Sequence, residues 1–128
     1  MVSQVPRQAR ILLVDDRVEN LIALDAILSP LNQILVSAQS GEQALEALRA
    51  EEFAVVLLDI VMPGMNGYQA TRALANDPRT RTIPIIMVTS KGQETDRIWG
   101  LRQGAIDYMV KPVSPDQLVA KAQATLSA

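Results

Sequence analysis

The 128-residue chain contains no cysteine and no histidine. The first absence excludes disulfides, thiolate nucleophiles and iron–sulfur ligation, and the two together exclude zinc sites built on Cys or His. Without histidine there is also no Ser-His-Asp triad and no imidazole base. Aromatic residues are scarce, with one Trp, two Tyr and one Phe, which leaves little to stack a flavin ring. No apolar run reaches the ~20 residues of a membrane span. The opening MVSQVPRQAR lacks the apolar centre of a secretory signal. Phosphate-cradling glycine fingerprints are missing as well: Gly64 and Gly67 bracket a turn, with no GxGxxG or Walker pattern around them. A net charge of −2 supplies no basic face for nucleic acid and no polybasic cluster for a membrane surface. Carboxylates, hydroxyls, amines and backbone groups remain, and any metal should be a hard cation on oxygen ligands. A cytoplasmic protein is expected.

What is present is a 48% hydrophobic composition, enough for one core. Residues 1–9 read as a flexible leader and 10–128 as one domain. RILLV (10–14) is a short apolar run closed by two aspartates, and reads as a buried strand. Apolar residues at 18, 21, 22, 24, 27 and 28 follow helical spacing up to Pro30, which should end the helix. QILVSA (33–38) is a second strand, and Ser40 with Gln43 forms a capping-box pattern for the next helix, with Ala44, Leu45 and Leu48 inward. AVVLLD (54–59) is apolar throughout, as expected of a strand covered on both faces. A loop at 62–67 leads to a helix over about 68–75. PIIMVTS (84–90) is a fourth strand, and a helix over about 94–102 ends near Gly104, with Ile98 and Leu101 as its buried stripe and Trp99 on its flank. AIDYMV (105–110) is the fifth strand, and Pro115 opens a last helix over about 115–126.

Strand and helix alternate five times, which predicts a doubly wound α/β sandwich around a parallel sheet of order 2-1-3-4-5. In that architecture ligands bind beyond the carboxyl ends of the strands. The polar residues at those ends are Asp15 and Asp16 after strand one, Asp59 after strand three, Thr89 and Ser90 at strand four, and Lys111 before Pro112 after strand five. They converge on one pocket. Close carboxylates repel by roughly 4 kcal/mol per pair at about 4 Å and an effective dielectric near 20. Such a site calls for cations: Lys111 is one, and a divalent ion on oxygen ligands would supply the rest. A carboxylate so held can act as a nucleophile towards phosphorus, a reaction that depends on positioning and charge neutralisation and needs no histidine on this chain.

Together and in order, LLVDD, VVLLDIVMPGMNG, PIIMVTS and GAIDYMVKP resemble the receiver domain of two-component response regulators, over essentially the whole chain from Arg10 to Leu126. The resemblance implies a CheY-like, flavodoxin-like sandwich and assigns roles. Asp59 would accept a phosphoryl group from the phosphohistidine of a histidine kinase or phosphotransfer domain. Mg²⁺ or Mn²⁺ would be bound by Asp15, Asp16, Asp59 and the backbone carbonyl of Val61. Thr89 and Lys111 would contact phosphoryl oxygens. Tyr108 would be the switch aromatic that turns inward as Thr89 moves, and the Lys111–Pro112 bond would be cis. The switched surface of helix four, strand five and helix five would dock an unknown downstream protein. The only chemistry implied is self-phosphorylation and autodephosphorylation, so the chain is not expected to be an enzyme. Ser90, Val61, Lys91 and Val113 stand at positions that vary in the family or commonly carry other residues. The stretch TSKGQETDRIWGLRQGAIDYMVKP is similar to stand-alone receivers of the twitching-motility type. Two other readings are a receiver-like docking module that is never phosphorylated and a Mg²⁺-dependent aspartyl-phosphate phosphatase. The latter family uses an Asp-x-Asp motif after its first strand, where this chain has Asp15-Asp16-Arg17.

Overall fold

A computed structural model describes residues 8–127. The expected leader falls, through residue 7, outside them. Five strands and five α-helices alternate along the described residues. They are β1 (Arg10–Val14), α1 (Val18–Leu28), β2 (Ile34–Ala38), α2 (Gly41–Ala50), β3 (Val55–Leu58), α3 (Gly67–Asn76), β4 (Ile85–Thr89), α4 (Glu94–Gln103), β5 (Asp107–Val110) and α5 (Pro115–Ser127). The strands form one parallel sheet in the order β2-β1-β3-β4-β5, as the alternation predicts.

Side chains alternate across a strand, and here both faces are apolar. Leu12, Val14, Val56, Leu58, Ile85 and Met87 meet Ala44 and Leu48 of α2 and Ala70 and Leu74 of α3. Ile11, Leu13, Val55, Leu57, Ile86 and Val88 meet Leu21, Leu24 and Leu28 of α1 and Leu118 and Ala122 of α5. The four residues of β3 are all essentially inaccessible, which accounts for the unbroken apolar run leading to Asp59.

Several local expectations change in the structure. Pro30 sits inside a 3₁₀ turn, Ser29–Leu31, that continues α1 before Asn32 closes it in the left-handed region at φ 57°. Of the six apolar positions in α1, Leu21, Leu24 and Leu28 are buried, whereas Val18 and Ile22 are 48% and 65% exposed. A helix on one sheet face buries a single stripe, and an apolar residue off that stripe meets solvent. Ser40 caps α2 by accepting from the Gln43 N–H, but the Gln43 side chain returns to the N–H of Gln39, so the reciprocal box is offset by one residue. The complete capping box is at α3, between Asn66 and Gln69.

The expected stripe of α4 is also corrected. Ile98 is 41% exposed, and the buried residue is Gly100. A Cβ there would lie 2.6 Å from Met87 Sδ and 3.1 Å from the Tyr108 ring. The helix therefore approaches the sheet through its backbone at Gly100, which turns Ile98 and Trp99 outward.

Candidate functional site

The sheet ladder continues past the regular strands and fixes the backbone of three candidate residues. Asp15 N–H donates to Ala38 O, Asp59 N–H to Val14 O, and Lys111 N–H to Thr89 O. The ends of β1, β3, β4 and β5 are thereby held side by side. The carboxylates of Asp15, Asp16 and Asp59 each offer an oxygen within 4.8 Å of the others. Asp15 and Asp59 are buried, and Asp16 is more open.

Lys111 is the cation among them. Its Nζ donates to Asp15 Oδ2 at 2.6 Å and reaches Asp59 Oδ2 at 3.5 Å. The ammonium thus leans on Asp15 and only approaches Asp59. Asp59 Oδ1 is 3.4 Å from the N–H of Val61, whose side chain is half-exposed beside the site. Thr89, fully buried, accepts from the Lys91 N–H through Oγ1 at 3.3 Å.

Tyr108 lies inside the molecule, 7% exposed, with its hydroxyl donating to the Lys91 carbonyl at 2.6 Å. Its ring fills the room left at Gly100. Tyr68 donates to the Asp96 carbonyl at 3.1 Å, linking the start of α3 to α4. Burial raises the hydroxyl pKa of both tyrosines above the ordinary value; Asp96 adds to this at Tyr68, and Tyr68 adds to it at Tyr108. The Lys111–Pro112 peptide is cis.

Of the strand-end residues picked out in the sequence, Asp15, Asp16, Asp59 and Lys111 come together here; Thr89 ends β4 with its carbonyl bound by the Lys111 N–H, and Ser90 lies exposed after it. Two others were not anticipated. Asn20, in the first turn of α1, donates its side-chain amide to both oxygens of Asp15, at 3.2 and 3.1 Å. Tyr68 is the other. Gly67 is a further constraint, because a Cβ there would sit 2.4 Å from the Asp59 carbonyl oxygen. The glycine is what lets α3 start directly against the backbone of Asp59 and Ile60.

The family model for the response regulator receiver domain matches residues 11–123. The chain belongs to that family. Receiver domains are signalling domains, and several similar proteins have been described. Protein PilH of Pseudomonas aeruginosa is 47% identical over 119 residues, covering 93% of this chain and 98% of PilH. Response regulator PleD of Caulobacter vibrioides is 39% identical over 113 residues, covering 88% of this chain but 25% of PleD. The chain thus spans nearly all of PilH and only a fraction of longer relatives. Among solved structures, a response regulator from Chloroflexus aurantiacus superposes with a TM-score of 0.90 at 30% identity, covering 95% of this chain and all of that one. The receiver domain of sensor histidine kinase PA1611 from Pseudomonas aeruginosa superposes with a TM-score of 0.87 at 29% identity, covering 95% and 100% of the two chains. That receiver has a magnesium ion coordinated in its active-site cleft. Among the described residues of the present chain, no helix is long and apolar enough to cross a membrane.

Proposed function

We propose that this receiver is a phosphorylatable switch in which Asp59 accepts a phosphoryl group from the phosphohistidine of a histidine kinase or phosphotransfer domain. The observation that carries the reading is the Lys111 ammonium held between Asp15 and Asp59 within a cluster of three carboxylates. An oxygen of Asp59 attacks phosphorus, the P–N bond to the histidine breaks, and an acyl phosphate forms. Negative charge accumulates on the phosphoryl oxygens, and positioned cations stabilise it. Lys111 supplies one, and the Thr89 hydroxyl can donate to another oxygen. The donor set, carboxylates without nitrogen or sulfur, fits a hard divalent cation. Asp15, Asp16, Asp59 and the Val61 carbonyl would hold Mg²⁺ or Mn²⁺, and the ion would supply the remaining charge neutralisation.

The output follows from the hydrogen-bond chain at the end of β4. Thr89 accepts from the Lys91 N–H, and the Lys91 carbonyl accepts from Tyr108. Movement of Thr89 towards a phosphoryl oxygen pulls on the Lys91 backbone and hence on Tyr108. The ring packs at Gly100 of α4, so the α4–β5–α5 surface changes where a downstream protein would dock. A cytoplasmic location is part of this reading, because kinase partners and Mg²⁺ are available there. Incubation with acetyl phosphate and Mg²⁺ should add one phosphoryl group by intact mass, and none to Asp59→Asn. Equal labelling of both proteins would contradict the assignment.

A further inference from the structure

Asp15 is the most completely enclosed carboxylate of the cluster, 1% exposed. It has three donors. Arg17 N–H reaches Oδ1 at 3.0 Å, Lys111 Nζ reaches Oδ2 at 2.6 Å, and the Asn20 amide nitrogen lies within 3.2 Å of both oxygens. The amide nitrogen is the end of Asn20 that must face a carboxylate, because its carbonyl oxygen would repel it. Lys111 is the short contact, and it is 3.5 Å from Asp59. Under the phosphoacceptor reading, on which this inference rests, the ammonium must move from Asp15 to an oxygen on the newly modified Asp59. That move takes the shortest of three donors from a buried carboxylate and leaves it the Arg17 N–H and the Asn20 amide; a buried carboxylate short of donors is costly.

We propose that Asn20 is a positioning residue that holds Asp15 while Lys111 is handed over to the phosphoryl group. It suits the task in two ways. It sits on α1, whose Leu21 and Leu24 anchor it in the core, so its amide is fixed independently of the loop carrying Lys111. It is also neutral. A cationic donor would hold Asp15 as firmly but would compete with a metal ion for the carboxylate, whereas an amide leaves the negative charge in place. Oδ2 thus keeps a donor at 3.1 Å when the lysine departs.

The proposal separates two binding events. Binding of Mg²⁺ alone leaves Lys111 on Asp15. Binding of Mg²⁺ with beryllofluoride, a mimic of the phosphoryl group, draws the lysine away. Asn20→Leu keeps the side-chain volume and removes the donor. NMR titration of the wild type and this variant should show Mg²⁺ affinity within about threefold of each other. Beryllofluoride affinity at saturating Mg²⁺ should fall about tenfold or more, the scale of a lost hydrogen bond to a charged group. Asn20→Ala should show the same split and serves if the leucine variant does not fold. A packing role would lower the melting temperature without separating the two affinities. Equal weakening of both, or no weakening of beryllofluoride binding, overturns the proposal. Failure of the wild type itself to take up beryllofluoride at Asp59 would instead overturn the phosphoacceptor reading, and this inference with it.

Discussion

Asp15, Asp16 and Asp59 are held closer than isolated carboxylates would settle, and one lysine serves the group. Each carboxylate pair at such separations costs roughly 4 kcal/mol before counter-charges are added, and Lys111 offsets only part of it. Removing one charge should therefore relieve the metal-free protein. Asp16→Asn is expected to raise its melting temperature by about 2–5 °C, the shift that ~1 kcal/mol produces in a domain of this size. Added Mg²⁺ should then stabilise the wild type by mass action and the variant less, which melts with and without the ion will show. A lower melting temperature for the metal-free variant would mean that the carboxylates are not crowded. The tyrosines give a pH prediction. Both have folded-state pKa values above the ordinary 10.0 because burial disfavours phenolate. Their contribution to stability is complete below the unfolded pKa and is lost as pH rises towards the folded value. A spectrophotometric titration should show the phenolate transition of the native protein displaced above that of the urea-unfolded chain. The strand-end residues were legible because each is a polar interruption at the end of an apolar strand. Asn20 and Tyr68 were not. Each is an ordinary helix residue whose role comes from a partner on another element: Asn20 meets the Asp15 carboxylate beyond β1, and Tyr68 reaches the Asp96 carbonyl, 28 residues away.

At the scale of elements, α3 shows how local chemistry places Asp59. Its capping box satisfies the first free N–H groups, and Gly67 lets the helix begin against the backbone of Asp59 and Ile60. Asn66→Ala should cost about 1 kcal/mol, the usual value of a cap. Gly67→Ala should cost more, about 1–3 kcal/mol, because the added methyl would meet backbone at 2.4 and 2.6 Å and a rigid backbone cannot step aside. Urea unfolding of both variants checks the order, and a smaller loss for Gly67→Ala would show that the loop after Asp59 yields. Element boundaries were readable from Pro, Gly and capping residues, since these act within one turn. Helix orientation was less readable. α4 has few apolar residues, and its seating depends on the missing side chain at Gly100 meeting Met87 and Tyr108, which no periodicity within the helix reveals. In α1 the exposed Val18 and Ile22 share the helical spacing of the buried leucines.

Across the described residues, the apolar strands form a platform and the acidic cluster with Lys111 sits on its carboxyl edge. The strand order was predictable because alternating strands and helices with right-handed crossovers admit few arrangements. The resting position of Tyr108 was not, because inward and outward rotamers suit the same sequence. With Tyr108 already inside, phosphorylation under the proposed function would tighten an existing chain from Thr89 through Lys91 to Tyr108. A shift from 1:99 to 99:1 between two states takes about 5.5 kcal/mol, and a ring already inward requires less. Trp99, half-exposed and adjacent to Gly100, should report the change. Its fluorescence is expected to shift when Mg²⁺ and beryllofluoride are added together. Thr89→Ala should reduce that shift without abolishing beryllofluoride binding, because Lys111 remains. A flat Trp99 signal over a loaded site would show that α4 does not respond. The central claim, that Asp59 is the acceptor, has a more direct test. Protein treated with acetyl phosphate and Mg²⁺ can be reduced with borohydride, which converts an aspartyl phosphate to homoserine, and then mapped by tandem mass spectrometry. The account predicts homoserine at position 59 alone. Conversion at Asp15 or Asp16, or phosphate left on a serine or threonine with Asp59 intact, would contradict it.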